Sequence, residues 1–219
     1  MRETTAIVLA AGLSRRMGDG VYEDGGCSAY LAHGMPRCAS PTGGVQKLLL
    51  PVDGAPMVQH TLDLIERLPF TRRVLVTVGS VAEAVQTSAE IVYNPAPELG
   101  QSGSVRLGVL AAGEADSLMF FTGDQPFLDE ATVRAILAQD DGESIVYPTG
   151  VDGLPKSPTL FASCFRETLL ALQGDEGGRQ VRRQFPARCR GVLVQDERAL
   201  LDVDTPSEYA RIREAEGLR

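Results

Sequence analysis

Short, nearly unbroken apolar runs recur along the chain at residues 6–11, 74–78, 90–93, 118–122, 144–147, 159–161 and 191–194. Runs this short read as strands covered on both faces, because a buried helix needs a longer stretch. Between them the period changes to that of a helix. Val58, Leu62 and Ile65 recur at i, i+4 and i+7, and Val133, Ile136 and Leu137 at i, i+3 and i+4 behind Asp129, which predicts an N-cap there. Thr205, Pro206 and Glu208 occupy the N-cap, N1 and N3 positions of a last helix, a capping-box pattern. Strand and helix alternating in this way predict an α/β fold, a three-layer α/β/α sandwich whose ligands gather at the carboxyl ends of mostly parallel strands. Neither an internal repeat nor an inter-domain linker stands out, so residues 1–219 read as a single domain.

Composition narrows the function classes. With 219 residues and 43% of them hydrophobic, the chain can bury one sizeable core. A formal net charge of -8 argues against a broad nucleic-acid surface, so an anionic substrate must meet a local basic patch. No apolar run approaches the roughly 18 residues of a membrane span, and the first is too short for a signal-peptide core, which predicts a cytoplasmic protein without a membrane partner. The cysteines at 27, 38, 164 and 189 lack paired spacing. A reducing compartment disfavours disulfides, and Cys164, within Phe161-Ala-Ser-Cys-Phe165, reads as a small core residue rather than a nucleophile.

The first apolar run stops at Ala10-Ala11-Gly12 and continues into Ser14 and Arg16, and Gln46-Lys47 lies downstream. A strand that ends on glycine and then offers hydroxyl, guanidinium and ammonium groups suits a polyphosphate, through close backbone approach and fixed positive charge. The spacing matches neither the dinucleotide fingerprint nor the Walker loop. Arg15 is expected to face solvent. Asp124 emerges where the run 118–122 stops, either to bind a cation or to cap the turn that follows. Asp204 stands before the last helix, as a second ligand or as a partner of that helix's N-terminus. Gly79 also follows a strand-like run, and Ser102 and Ser104 lie in a Gly/Ser loop before a helix expected over 105–112, where they could cap it.

Taken together, Leu9-Ala-Ala-Gly-x-Ser-x-Arg16-Met-Gly18, Lys47-Leu-Leu-Leu-Pro51, Asn94-Pro95, Gly100-Gln-Ser-Gly-Ser-Val-Arg-Leu-Gly108, Thr122-Gly-Asp124-Gln-Pro126, Pro158-Thr-Leu-Phe161, Gly174-Asp-Glu-Gly177 and Leu201-Asp-Val-Asp204-Thr-Pro206 resemble the nucleotidyltransferases, most of all the molybdenum cofactor cytidylyltransferases. The resemblance implies a Rossmann-like sheet of the nucleotide-diphospho-sugar transferase type. It implies transfer of CMP from CTP to the terminal phosphate of molybdenum-loaded molybdopterin, with release of pyrophosphate and transient contact with a target molybdoenzyme. Arg16, Lys47 and Asp124 would be catalytic. Ala10, Ala11, Gly12, Ser14, Arg16, Lys47, Gly79, Ser102 and Ser104 would contact the nucleotide. Asp124 and Asp204 would hold Mg²⁺ or Mn²⁺. Ala11 stands where the related guanylyltransferases usually carry glycine, and its methyl favours CTP over GTP. The stretches 158–161 and 174–177 would face the pterin, while Lys156-Ser157 depart from the small residue and Asn or His usual before Pro158.

A guanylyltransferase of the same pathway, a sugar- or alditol-phosphate nucleotidyltransferase, and a non-enzymatic carrier of the finished cofactor remain as alternatives. Residues 19–46 lengthen the usual connection between the Met-Gly pair and Lys47 and are expected to form an insertion. It would close over the nucleotide as a lid or project into solvent. Cys27, His33 and Cys38 within it have unorthodox spacing for zinc, so a metal-free loop is expected.

Overall fold

Apolar runs at strand length become strands wherever a neighbouring run can pair with them. In the computed structural model, which describes residues 2–12 and 46–215, they are β1 (Thr4–Ala10), the ribbon strands β2 (Pro51–Val52) and β3 (Ala55–Pro56), β4 (Arg72–Thr77), β5 (Glu90–Tyr93), β6 (Ser117–Thr122), β7 (Ile145–Thr149), β8 (Thr159–Ala162) and β9 (Cys189–Leu193). The described helices are α1 (Met57–Glu66), α2 (Gly79–Ala82), α3 (Gln101–Ala111), α4 (Glu130–Leu137), α5 (Arg166–Leu170), α6 (Gly178–Gln184) and α7 (Pro206–Ala215). None is long and apolar enough to cross a membrane.

The main sheet has the order β5-β4-β1-β6-β8-β7-β9. All its pairings are parallel except those of β8, which runs against both β6 and β7. The mostly parallel sheet is the one expected. The reversal of β8 follows from its connection, since residues 150–158 contain no helix to carry the chain across the sheet and simply turn it back.

Alternation along the strands builds the layers. Ala6, Val8, Met119 and Phe121 pack under α1 and α4 with Leu62, Ile65, Val133 and Ile136. Ile7, Leu118, Phe120 and Phe161 face the other way, toward Val105 and Val109 of α3, Leu169 of α5 and Val181 of α6. A third cluster was not anticipated from the pattern: Leu50, Val52, Met57, Val203, Tyr209 and Ile212 join α7 to the β2–β3 ribbon. The Tyr209 hydroxyl donates to Pro51 O at 2.7 Å.

Asp129 caps α4 by accepting from Thr132 N at 2.7 Å. The capping box of α7 forms in both directions, Glu208 N donating to Thr205 Oγ1 at 3.3 Å and Thr205 N to Glu208 Oε2 at 2.8 Å. Cys164 is not a core residue: it is exposed on the turn Ser163–Phe165, and Phe165 takes the buried place instead. Helix α3 starts at Gln101 with Gly100 as its N-cap, so Ser102 and Ser104 lie inside its first turns and are buried rather than capping. Ser14, Arg16, Cys27, His33, Cys38 and all of 19–46 except Gln46 lie outside the described residues.

Candidate active site

The strand order reverses between β1 and β6, since the chain passes from β1 outward through β4 and β5 and then returns to the other side of β1. Crevices at such switch points, beyond the carboxyl ends of the strands, are where ligands bind in open α/β sheets. Ala11 and Gly12 leave β1 there, and Gly123 and Asp124 leave β6 beside them. The Gln46 amide donates to Gly12 O at 3.5 Å, which returns the chain to the strand end and sets Lys47 next to it. Leu48 and Leu49 are buried and anchor the short turn Lys47–Leu49 in the core. Gly123 makes room for this turn, because a Cβ there would stand 3.0 Å from Val58 Cγ2 and 3.3 Å from the methyls of Leu48.

Three residues far apart in sequence meet at this point. Lys47 Nζ lies 2.7 Å from Asp124 Oδ2 and 2.7 Å from Asp204 Oδ1. Asp204 is held there by its own segment: Val203 points into the ribbon cluster, and its N–H donates to Asp124 O at 3.0 Å. Burial pulls the Lys47 ammonium toward its neutral form, but the carboxylates of Asp124 and Asp204 outweigh burial and hold its pKa above the ordinary lysine value. The Asp204 side chain therefore pairs with Lys47, while the end of α7 is capped by Thr205 and Glu208.

Asp202 adds a third carboxyl. Its surface is open to water on one side, yet the protein crowded around its carboxyl and the charges of Asp124 and Asp204 push its pKa up to about 6, against the pull of Lys47 and Lys156. Sequence reading passed over it. The alternation Leu201-Asp202-Val203-Asp204, with Val203 inward, was the available signal, since a period of two sends both acids to one side.

The carboxyl end of β6 also holds polar atoms without partners. Asp124 Oδ1, Thr122 Oγ1 and Gln125 Oε1 are buried and have no hydrogen bond among the described residues. Leaving such an acceptor unsatisfied costs about 1–3 kcal/mol, so a ligand is the natural partner of an orphan carboxylate oxygen here. Among the described residues no group of three or more His, Cys, Asp and Glu could hold a metal on its own. A divalent cation at Asp124 would have to complete its shell with nucleotide oxygens and water, which is how magnesium usually binds.

On the β4 side, Thr77 Oγ1 donates to Ala10 O at 3.2 Å and Gly79 opens α2 just beyond the strand end. Asn94 N donates to Thr77 O at 2.8 Å, and its side chain donates to Ser104 Oγ at 2.9 Å. Ser104 is thus part of the scaffold that docks α3 onto the sheet. Gly100 has φ +102°, and a Cβ there would overlap the carbonyl of Gly174. Ser102 N donates to that same carbonyl at 3.1 Å. The two glycine-rich stretches 100–104 and 174–177, remote in sequence, are one docked structure. The described residues thus unite Gly12, Lys47, Asp124 and Asp204 in one crevice, with Ala10, Ala11 and Gly79 on its β4 side.

The family profile described as the MobA-like NTP transferase domain matches residues 6–189. The chain belongs to that family. Purine catabolism protein PucB of Bacillus subtilis (strain 168) is 28% identical over 214 residues, which cover 95% of each chain. The bifunctional protein GlmU of an Exiguobacterium species (strain AT1b) is 29% identical over 145 residues, 64% of this chain and 27% of that protein. The chain thus spans about a quarter of the length of the GlmU relatives it matches. Among solved structures, Rv0371c of Mycobacterium tuberculosis in complex with manganese superimposes with a TM-score of 0.71 at 24% identity, over 97% of this chain and 99% of that one. Likeness at that identity shows the shared fold.

Proposed function

We propose that the protein is a nucleotidyltransferase that moves CMP from CTP to the terminal phosphate of molybdenum-loaded molybdopterin and releases pyrophosphate. The observation that carries the transfer reading is the Lys47 ammonium held between Asp124 and Asp204 at the switch point, with the second oxygen of Asp124 buried and orphaned. A phosphomonoester acceptor is already largely dianionic at neutral pH, so no strong general base is needed to attack the α-phosphorus. The work left to the protein is to align two anions and balance charge as it moves onto the leaving pyrophosphate. Lys47 supplies a mobile point charge that can leave its carboxylates and follow the pyrophosphate, while Arg16 supplies a planar fork for two phosphate oxygens.

Asp124, with Asp204, would hold Mg²⁺ or Mn²⁺, and the bound cation would neutralise the triphosphate. The manganese in the Rv0371c structure supports a divalent ion in this fold. The choice of CTP rests on Ala11, which stands where the related guanylyltransferases usually carry glycine and whose side chain is buried at the end of β1 beside Gly12. The molybdopterin acceptor and a transient contact with a molybdoenzyme rest on the sequence motifs of the second half, whose 174–177 stretch packs against the start of α3.

The test is pyrophosphate release with each of the four nucleoside triphosphates, with and without molybdenum-loaded molybdopterin, for the native protein and Asp124→Asn. Release is expected with CTP and only when the acceptor is present. Asp124→Asn is expected to stay folded and to lose metal-dependent release by at least about tenfold, the rate equivalent of roughly 1.4 kcal/mol. Full metal-dependent activity in Asp124→Asn would overturn the assignment of Asp124, and strong preference for GTP would overturn the base.

A further inference from the structure

Arg182, on α6, carries a charge that nothing described in the protein balances. Its Nη1 donates to Thr159 Oγ1 at 3.0 Å, and its guanidinium lies 5.3 Å from the centre of the Tyr147 ring. Among the described residues no carboxylate pairs with it, and Arg179 one turn earlier adds a second positive charge nearby. Burial disfavours its charged form, which lowers its pKa. An arginine offers five N–H donors, and among the described residues one is used. A half-buried cation without a counter-ion is costly to keep, and the cost is recovered when an anion occupies the site.

The sheet register places this cation. Thr159 pairs with Phe120 on β6, and Tyr147 is the residue of β7 that follows the Val146↔Leu160 pair. Phe120 and Thr122 share a face of β6, because side chains alternate, so the orphan Thr122 hydroxyl lies on the Arg182 side of the sheet. At about 3.3 Å per residue, the Arg182 row lies one strand over from β6 and, along the strand direction, roughly 7 Å before Thr122 and about 13 Å before Asp124. That separation suits two ends of one small molecule, with a reacting phosphate at Asp124 and a second oxygen-rich group at Arg182.

We propose that Arg182, seated on Thr159 and Tyr147, is an oxyanion subsite on the second half of the sheet, and that it binds a negatively charged group of the acceptor remote from the phosphate that reacts. The ligand's role as acceptor rests on the transfer reading above, but the binding of an oxyanion at Arg182 does not. Arg182 acts here as a binding residue that sets acceptor choice, through its planar fork and its stacking on the tyrosine ring.

Inorganic phosphate is the probe. The Arg182 Nε–Hε resonance of ¹⁵N-labelled protein, assigned with Arg182→Lys, is expected to shift saturably on phosphate addition, in the native protein and equally in Lys47→Met. Arg182→Met should weaken that binding at least about tenfold, as loss of a charge-assisted fork implies. Arg182→Lys, which keeps charge but loses the fork and the stacking, should weaken it by about fivefold and raise the acceptor KM by a similar factor, with kcat and the CTP KM unchanged. If Arg182→Met does not fold, the native resonance and the Lys variant still decide the matter. A resonance that does not move, or equal phosphate affinity in native protein and Arg182→Lys, overturns the subsite. Absence of any nucleotidyl transfer together with a saturable Arg182 shift would defeat the proposed function and leave the subsite standing. Transfer with an unchanged acceptor KM and no shift would do the reverse.

Discussion

Replacing Lys47 with methionine keeps most of the length and the apolar stem of the side chain and removes the ammonium group. In the native protein that charge stands 2.7 Å from a carboxylate oxygen of Asp124 and 2.7 Å from one of Asp204. Without it, the two acids face each other across the space of a single nitrogen. At an effective dielectric constant near 20, like charges roughly 5 Å apart repel by about 3 kcal/mol. The Asp204 side chain is 38% exposed, so water screens part of this and the expected loss of stability is about 2 kcal/mol. The sign with pH is fixed by the raised pKa of Lys47: its contribution is complete below the ordinary lysine pKa and is lost only as pH rises through the higher folded value, so at pH 7.5 it is fully present. The chain has no tryptophan, which makes far-UV circular dichroism in urea with a chelator the suitable assay. A loss of that size moves the urea midpoint down by roughly 1 M for an ordinary slope. Adding Asp204→Asn to Lys47→Met should restore most of it, because the repulsion goes with the second charge. A midpoint shift too small to measure, or strict additivity of the two substitutions, would refute the bridging role of Lys47.

Gly100→Ala should destabilise the protein by about 3 kcal/mol in the same urea assay, since φ +102° with extended ψ is a region only glycine occupies readily and the new methyl would overlap the Gly174 carbonyl; a change below about 0.5 kcal/mol would contradict the docking of the two loops. Asp202→Asn should raise the melting temperature at pH 8 and leave it unchanged at pH 4: the native acid, with its pKa pushed up to about 6, prefers its neutral form, so stability falls as pH rises from about 4 through 6. After allowance for the open side of Asp202, the gain at pH 8 is under about 1 kcal/mol, and an equal gain at both pH values would rule out charge as its cause. Ala11→Gly should narrow the preference for CTP over GTP, measured as the ratio of kcat/KM, by a factor of about 10 within the 1–3 kcal/mol range of one methyl contact; an unchanged ratio would remove Ala11 from base selection.

The α/β class, the strand-like runs and the caps of α4 and α7 were legible in the sequence because each is a local matter. Periodicity records which side of an element is buried, and a cap is decided within four residues. The strand ends at Gly12 and Asp124 were legible for the same reason, as places where an apolar run stops and polar chemistry starts.

What the chain folds into beyond those stretches was settled by contacts no local pattern contains. The meeting of Lys47 with Asp204 joins residues 157 apart, and it depends on Val203 entering the cluster that α7 makes with the β2–β3 ribbon. The start of α7 was legible, but the ribbon it packs on was not, since two-residue strands carry no period. The reversal of β8 likewise followed from the missing helix in its connection, and Cys164 turned outward because Phe165, the larger apolar neighbour, filled the core position. Sequence determined which side chains could be buried and where the chemistry could emerge. Tertiary structure decided which of those side chains share one crevice, because closure over long sequence separations is set by how helices and ribbon pack on the finished sheet, and that packing is absent from any one segment.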